Sequence, residues 1–167
     1  YINPFPSPGG RGGPPAGRGG GAPNPRAPPA LCEDANAIGS RLEQAADWCV
    51  GALDEAGRLG AYLLAHPWAG SAPPSWNQAL PALPDARAGL YLHDLALGPA
   101  ARGQGLAGRL VDALLAQARA AGCPQAHLVA VQDSVGFWSR QGFAVLAASA
   151  SVAASYGADA RLMGRAL

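Results

Sequence analysis

Lysine is absent from this sequence: all twelve basic residues are arginine, and isoleucine occurs only twice. With abundant alanine, that usage is what a GC-rich genome produces, and it says little about partners. No apolar run approaches the roughly twenty residues that a membrane span requires, and the N-terminus lacks the charged-then-apolar pattern of a secretion signal. Cysteine is scarce. Cys32, Cys49 and Cys123 are odd in number and far apart, without a CxxC pair or histidines at metal-ligand intervals. A structural metal is therefore not expected, and a reduced, cytoplasmic chain is. Charge is also lacking: the formal balance is +1, and Arg11, Arg18 and Arg26 lie in a stretch without an acid. The remaining nine arginines face eleven acids, a balance of −2, so no nucleic-acid face and no membrane partner is expected.

Proline and glycine are plentiful but unevenly placed. Residues 1–30 hold nine of the 16 prolines and eight of the 23 glycines, which marks a boundary near Ala30. Such a segment buries too little apolar surface to offset its ordering entropy, and its prolines remove backbone donors. Disorder is expected there, and neither a strand nor a helix can be read from it. Its Arg-Gly-Pro-Ala composition is also what a GC-rich gene gives in a shifted reading frame. Gly10-Arg11-Gly12-Gly13 and Gly17-Arg18-Gly19-Gly20 echo RNA-binding arginine-glycine segments, but three arginines make that a weak case. The chain starts at Tyr1 rather than methionine, so truncation or processing is expected.

Residues 31–167 read as one α/β (α+β) domain. Ala35, Ile38, Leu42 and Ala45 recur at helical spacing behind Glu33 and Asp34, two acids suited to a helix N-terminus. Trp48–Leu53 and Arg58–His66 read as strands joined by the compact connection Asp54-Glu55-Ala56-Gly57. Pro67–Pro84, carrying Trp68 and Trp76, reads as a lid-like loop. Gly89–Leu97 is a nearly continuous apolar strand interrupted by His93-Asp94. After it, Leu106, Leu110, Val111, Leu114, Leu115 and Ala118 form one apolar helical stripe that Gly122 and Pro124 terminate. His127–Val131, Phe143–Ala148 and Ala160–Leu167 read as strands, and Ser134–Gln141 as a short helix.

Between the interrupted strand and the long helix lies Arg102-Gly103-Gln104-Gly105-Leu106-Ala107-Gly108. Glycines let backbone N–H groups converge on one point, and the helix starting there adds roughly half a positive charge, so a phosphorylated ligand is expected. Gly103-x-Gly105-x-x-Gly108 matches the dinucleotide fingerprint, but the context opposes a nicotinamide or flavin site. A Rossmann loop leaves its strand directly, whereas Gly98–Arg102 intervenes here and too little chain follows for further βαβ units. No Lys-Ser/Thr pair follows the last glycine, which excludes the loop of the nucleotide triphosphatases.

Arg102-x-x-Gly105-x-Ala107 resembles the Q/R-x-x-G-x-G/A motif of the GCN5-related N-acetyltransferases, the GNAT superfamily. Leu92-His93-Asp94-Leu95-Ala96-Leu97 resembles their central fourth strand, and Phe137-Trp138-Ser139-Arg140-Gln141-Gly142-Phe143 is similar to their F-Y-x-K-x-G-F segment. The resemblance implies a mixed, mostly antiparallel sheet flanked by helices, binding acetyl-CoA and transferring its acetyl group to a primary amine of a small molecule or protein by direct attack. A homodimer is compatible with it. By the same resemblance Leu95, Ala96 and Leu97 offer backbone groups to pantetheine and the thioester, and Arg102, Gly103, Gln104, Gly105, Leu106, Ala107 and Gly108 hold the pyrophosphate. Ser134 and Phe137 complete the coenzyme site.

His93 is the expected base, because an unperturbed imidazole accepts a proton near neutrality. In a regular strand His93 and Asp94 point to opposite faces, so they share a pocket only if a bulge intervenes. Trp138 stands where the family often has a tyrosine that protonates the leaving thiolate, and an indole N–H does not ionise usefully. The thiolate then leaves unaided, or Tyr156 or Ser134 assists. The alternative is a module of the same fold that binds the coenzyme but is catalytically impaired.

Overall fold

A computed structural model describes residues 2–4, 33–70, 72–131, 133–147, 152 and 155–167. Its strands are β1 (Ile2–Pro4), β2 (Val50–Leu53), β3 (Leu59–Pro67), β4 (Leu90–Leu97), β5 (Gln125–Ala130), β6 (Ala144–Val145) and β7 (Arg161–Ala166). Helices are α1 (Ala35–Ala45), α2 (Leu106–Ala120) and α3 (Val135–Arg140). The strands form one sheet in the order β1-β2-β3-β4-β5-β7-β6. Every neighbouring pair is antiparallel except β4 and β5. One parallel pair in a mostly antiparallel sheet cannot be a doubly wound dinucleotide fold, which needs successive parallel βαβ units.

The alternation of side chains divides the sheet into two apolar layers. On one face Leu63, Leu90, Leu92, Ala126, Leu128 and Met163 meet Leu110, Val111, Leu114, Leu115 and Ala118, the stripe expected for α2. On the other face Val152, Tyr156, Ala160 and Leu162 gather with Trp76, Val129 and Leu146. Gly122, at φ +77°, ends α2 as its position after the last apolar residue predicts.

Three expectations need correction. Ile2–Pro4, in a stretch from which no strand could be read, pairs antiparallel with Val50–Ala52. Three residues before a proline-rich run carry too little periodicity to signal a strand, and the pairing partner supplies what the local sequence does not. The boundary near Ala30, and Cys32 with it, lies outside the described residues. Second, the buried side of α1 is Ala37, Arg41 and Ala45, not the Ala35-Ile38-Leu42-Ala45 stripe. The stripe is displaced because Arg41 is fully buried, with its charge matched by Glu33. Third, among the described residues of the strand expected at Phe143–Ala148, residues 143–147, only Ala144–Val145 is strand, pairing with Met163 and Gly164 of β7; Ala148 lies outside the described residues.

Candidate active site

Two irregularities of β4 build the site. Pairing with β5 joins Leu90, Tyr91 and Leu92 to Ala126, His127 and Leu128 and stops there, although β4 continues to Leu97 and β5 to Ala130. The strands separate, leaving the β5-facing edge of Leu95, Ala96 and Leu97 without a strand partner, while β3 pairs their other edge. Backbone N–H and C=O groups on such an edge need partners. A ligand inserted between the strands can supply them.

The second irregularity is at His93. Leu64 of β3 stands opposite Asp94 and Ala65 opposite Leu92, so His93 is the extra residue of a β-bulge. The condition under which His93 and Asp94 share a face is therefore met. The Tyr62 hydroxyl donates to Asp94 Oδ2 at 2.8 Å, while the His93 ring lies 6.2 Å from His66 and 6.1 Å from Tyr91. All are on the sheet face opposite α2.

Sequence reasoning missed His93's partner. Asp34 caps α1, its side chain accepting the Ala37 N–H at 2.8 Å. Glu33, read as a second acid for the helix N-terminus, instead turns inward: its Oε2 is bonded to His93 Nε2. Its Oε1 accepts the Asn77 N–H at 3.0 Å and lies 3.3 Å from Arg41 Nη2. That last contact is ionic rather than an aligned hydrogen bond, since Nη2 has no hydrogen-bond partner. Arg41 Nη1 donates to the carbonyls of Ala37 and Gln78. The only advance signal for this cluster was an arginine among the small residues of α1, and spacing alone did not mark it as buried.

Burial would raise the Glu33 pKa, but the bond to His93, the charges of His93 and Arg41 and the Asn77 N–H together lower it. Asp94 is pushed up by burial against the opposing Tyr62 bond. His66 is fully buried; its Nδ1 pairs with the Pro67 carbonyl at 3.0 Å and its Nε2 has no partner. Burial pushes its pKa down to about 4. Since the unfolded value is near 6.5, the unfolded chain binds the extra proton, and stability is lost as pH falls from about 6.5 toward about 4. The loss expected from His66 is about 3 kcal/mol at full effect. Urea unfolding at stepped pH checks it: His66→Phe should flatten the slope in that window, and an unchanged slope would exclude His66 as its source.

The glycine loop lies where β4 ends. Gly98 N–H donates to the Gly60 carbonyl at 2.8 Å, and Pro99–Ala101 forms one 3₁₀ turn. Gly103 and Gly105 have φ of +75° and +69°, and a Cβ on either would meet no atom within 4 Å. Glycine is needed there for the backbone conformation, not for want of room. Gly105 is the N-cap of α2 and, having no side chain, leaves the first-turn amides of Leu106, Ala107 and Gly108 without a side-chain cap. Gln104 Nε2 donates to the Ala100 carbonyl at 2.7 Å and Arg102 Nε to Leu97 O at 3.4 Å, which ties the loop to the strand end. Open glycines, uncapped amides and an unpaired strand edge fit a pyrophosphate with a pantetheine-like arm.

Residues 23–143, more than half of the sequence, match the model of the acetyltransferase (GNAT) family. The chain belongs to the acetyltransferase (GNAT) family. No curated protein matches it. Among solved structures, the NatC complex bound to Gag peptide and CoA is 20% identical, with 82% of this chain and 83% of that one covered and a TM-score of 0.61. Ard1 from Thermoplasma volcanium is 15% identical over 78% and 77% of the two chains, TM-score 0.58. Naa20 from Chaetomium thermophilum, in complex with a bisubstrate analogue, is 18% identical over 78% and 71%, TM-score 0.58. At these identities the likeness is one of fold.

The other expected residues of this GNAT chain are placed as follows. Ser134 precedes α3 without a side-chain capping bond, and Phe137 is partly buried against the main core. Trp138 is buried, its ring 4.9 Å from Phe137 and 5.6 Å from Phe143, so it works as core. The Tyr156 hydroxyl donates to the Pro74 carbonyl at 3.1 Å and its ring packs edge-on against Trp76 at 5.4 Å. Burial raises its pKa. The lid expected at Pro67–Pro84 is thus anchored on the domain through Trp76, and its own residues Trp68, Pro74, Ser75 and Leu80 line a cavity within the loop. Among the described residues no three His, Cys, Asp or Glu side chains form a group able to hold a metal, and no helix is long and apolar enough to cross a membrane.

Proposed function

We propose that the protein transfers an acetyl group from acetyl-CoA to a primary amine by direct attack, with His93 as the base. The observation that carries this is β4, which parts from β5 after Leu92 to leave a strand edge open for the coenzyme and carries His93 on the face away from α2, with one ring nitrogen unpartnered among the described residues. When bound, acetyl-CoA supplies an activated acyl carbon and a thiolate leaving group. Arg102–Gly108 holds the pyrophosphate, Leu95–Leu97 aligns the pantetheine arm, and Ser134 and Phe137 border it. His93 Nδ1 takes the proton from the amine.

Proton removal is the step that needs help. At pH 7 a lysine-like amine of pKa about 10.4 costs roughly 4.6 kcal/mol to deprotonate, an α-amine near 7.9 about 1.2, and a thiolate near 8.5 about 2 to release unprotonated. Release without an acid is therefore feasible, in keeping with a core position for Trp138 and a Tyr156 hydroxyl spent on Pro74. Free, buried Cys49 and Cys123 favour a reducing, cytoplasmic setting.

The coenzyme half is tested by calorimetric titration with coenzyme A. Gly105→Ala costs about 1–2 kcal/mol at a left-handed φ; the free loop escapes this by relaxing out of that conformation and coenzyme binding must restore it, an expected loss of about ten-fold in affinity. Wild-type affinity in this variant would remove the loop from the site.

A further inference from the structure

Glu33 is separated from His93 by sixty residues, yet the two side chains are 4% and 2% exposed and bonded to each other. We propose that Glu33 is the positioning residue of the acceptor side: its carboxylate fixes the His93 ring in the Nε2–H tautomer and so presents Nδ1 as the lone pair that receives the amine proton. The proposal rests on the reading of His93 as the base and adds what makes one of its two nitrogens competent.

The argument is one of donor and acceptor inventory. An ionised carboxylate only accepts, so the imidazole nitrogen facing Glu33 must carry the hydrogen. In the neutral ring the other nitrogen is then the acceptor. That nitrogen, Nδ1, is buried and has no partner among the described residues, and an unpaired buried polar atom calls for an explanation. Nor can Glu33 swing to Nδ1, because its second oxygen is held by the Asn77 N–H and faces the Arg41 guanidinium. Arg41 is itself anchored on the carbonyls of Ala37 and Gln78. The capped start of α1 and the loop at 77–78 thus converge on one ring of β4.

The groups facing His93 are Glu33 and Arg41 from α1 and its lead-in, His66 from β3, and Tyr91 and Asp94 from β4. His66 stays neutral near pH 7, and Asp94 is committed to the Tyr62 hydroxyl. Glu33 is the anion that contacts the ring.

The test is Glu33→Gln in the full chain, assayed as kcat/KM across pH. The expected result is a fall of about 10- to 100-fold, with the acidic limb moving down by about one unit because a neighbouring anion has gone. Nitrogen-15 NMR of wild-type His93 should show the Nε2–H tautomer at neutral pH, a readout independent of whether the variant folds. An Nδ1–H tautomer in the wild type, or a Glu33→Gln profile superimposable on wild type, would overturn the proposal. His93→Gln separates the two layers. If it leaves turnover intact, the base reading fails and the proposal with it. If it abolishes turnover while Glu33→Gln keeps the wild-type profile and tautomer, only the role of Glu33 fails.

Discussion

His93→Gln is expected to lower kcat/KM for a primary amine by about 10²- to 10⁴-fold, with coenzyme A affinity unchanged. Glutamine is close to histidine in size, and its amide can still donate to Glu33, so the cluster keeps its hydrogen bond. What disappears is the ring-nitrogen lone pair that can accept a proton, since an amide offers no such base. The loss should grow with the basicity of the acceptor. An α-amine is already partly neutral at pH 7 and needs about 1.2 kcal/mol of help, whereas a lysine-like amine needs roughly 4.6. The acidic limb of the wild-type profile should vanish in the variant. Steady-state kinetics with two amines of different pKa, beside a calorimetric titration with coenzyme A, checks all of these. Equal losses for both amines would mean that His93 shapes the pocket without moving a proton.

Arg41→Met is expected to cost about 3–5 kcal/mol of folding stability. Methionine fills much the same space, so a cavity is not the cause. Arg41 is fully buried, 3.3 Å from Glu33 Oε1, and its removal leaves a carboxylate in a dry environment with less compensation. Folded domains have only about 5–15 kcal/mol to lose. The double variant Glu33→Gln, Arg41→Met should cost less than the sum of the two single changes, because the second removes a charge that the first has orphaned. Urea denaturation of the four proteins closes the cycle. Strict additivity would show that the two residues are not coupled, and a cost below about 1 kcal/mol would place the pair in the weak class of solvated ion pairs.

What was legible in the sequence was what local chemistry dictates. The α2 stripe, the glycines at Gly103 and Gly105 and the terminator at Gly122 each follow from helical periodicity or from a positive φ, and each occurs as expected. The resemblance carried by Arg102-x-x-Gly105-x-Ala107 pointed to the family. The acceptor side was much less legible. The bulge at His93 arises from the register between β3 and β4, which no single strand encodes. Glu33 looked like a helix-end charge, and nothing in the spacing singled out Arg41, because local sequence does not record burial. Their matching depends on a loop at 77–78 and on a histidine sixty residues away. β1 illustrates the same limit, since Ile2–Pro4 is a strand only because β2 offers an edge to it.

The central claim is acetyl transfer, and mass spectrometry of a panel of amines incubated with acetyl-CoA and the purified full chain tests it most directly. The account predicts that at least one primary amine gains an acetyl group at a rate that falls at acid pH and that His93→Gln lowers by about 10²- to 10⁴-fold. Coenzyme A binding without transfer to any amine, at any pH, would contradict it and leave a coenzyme-binding module in place of an enzyme.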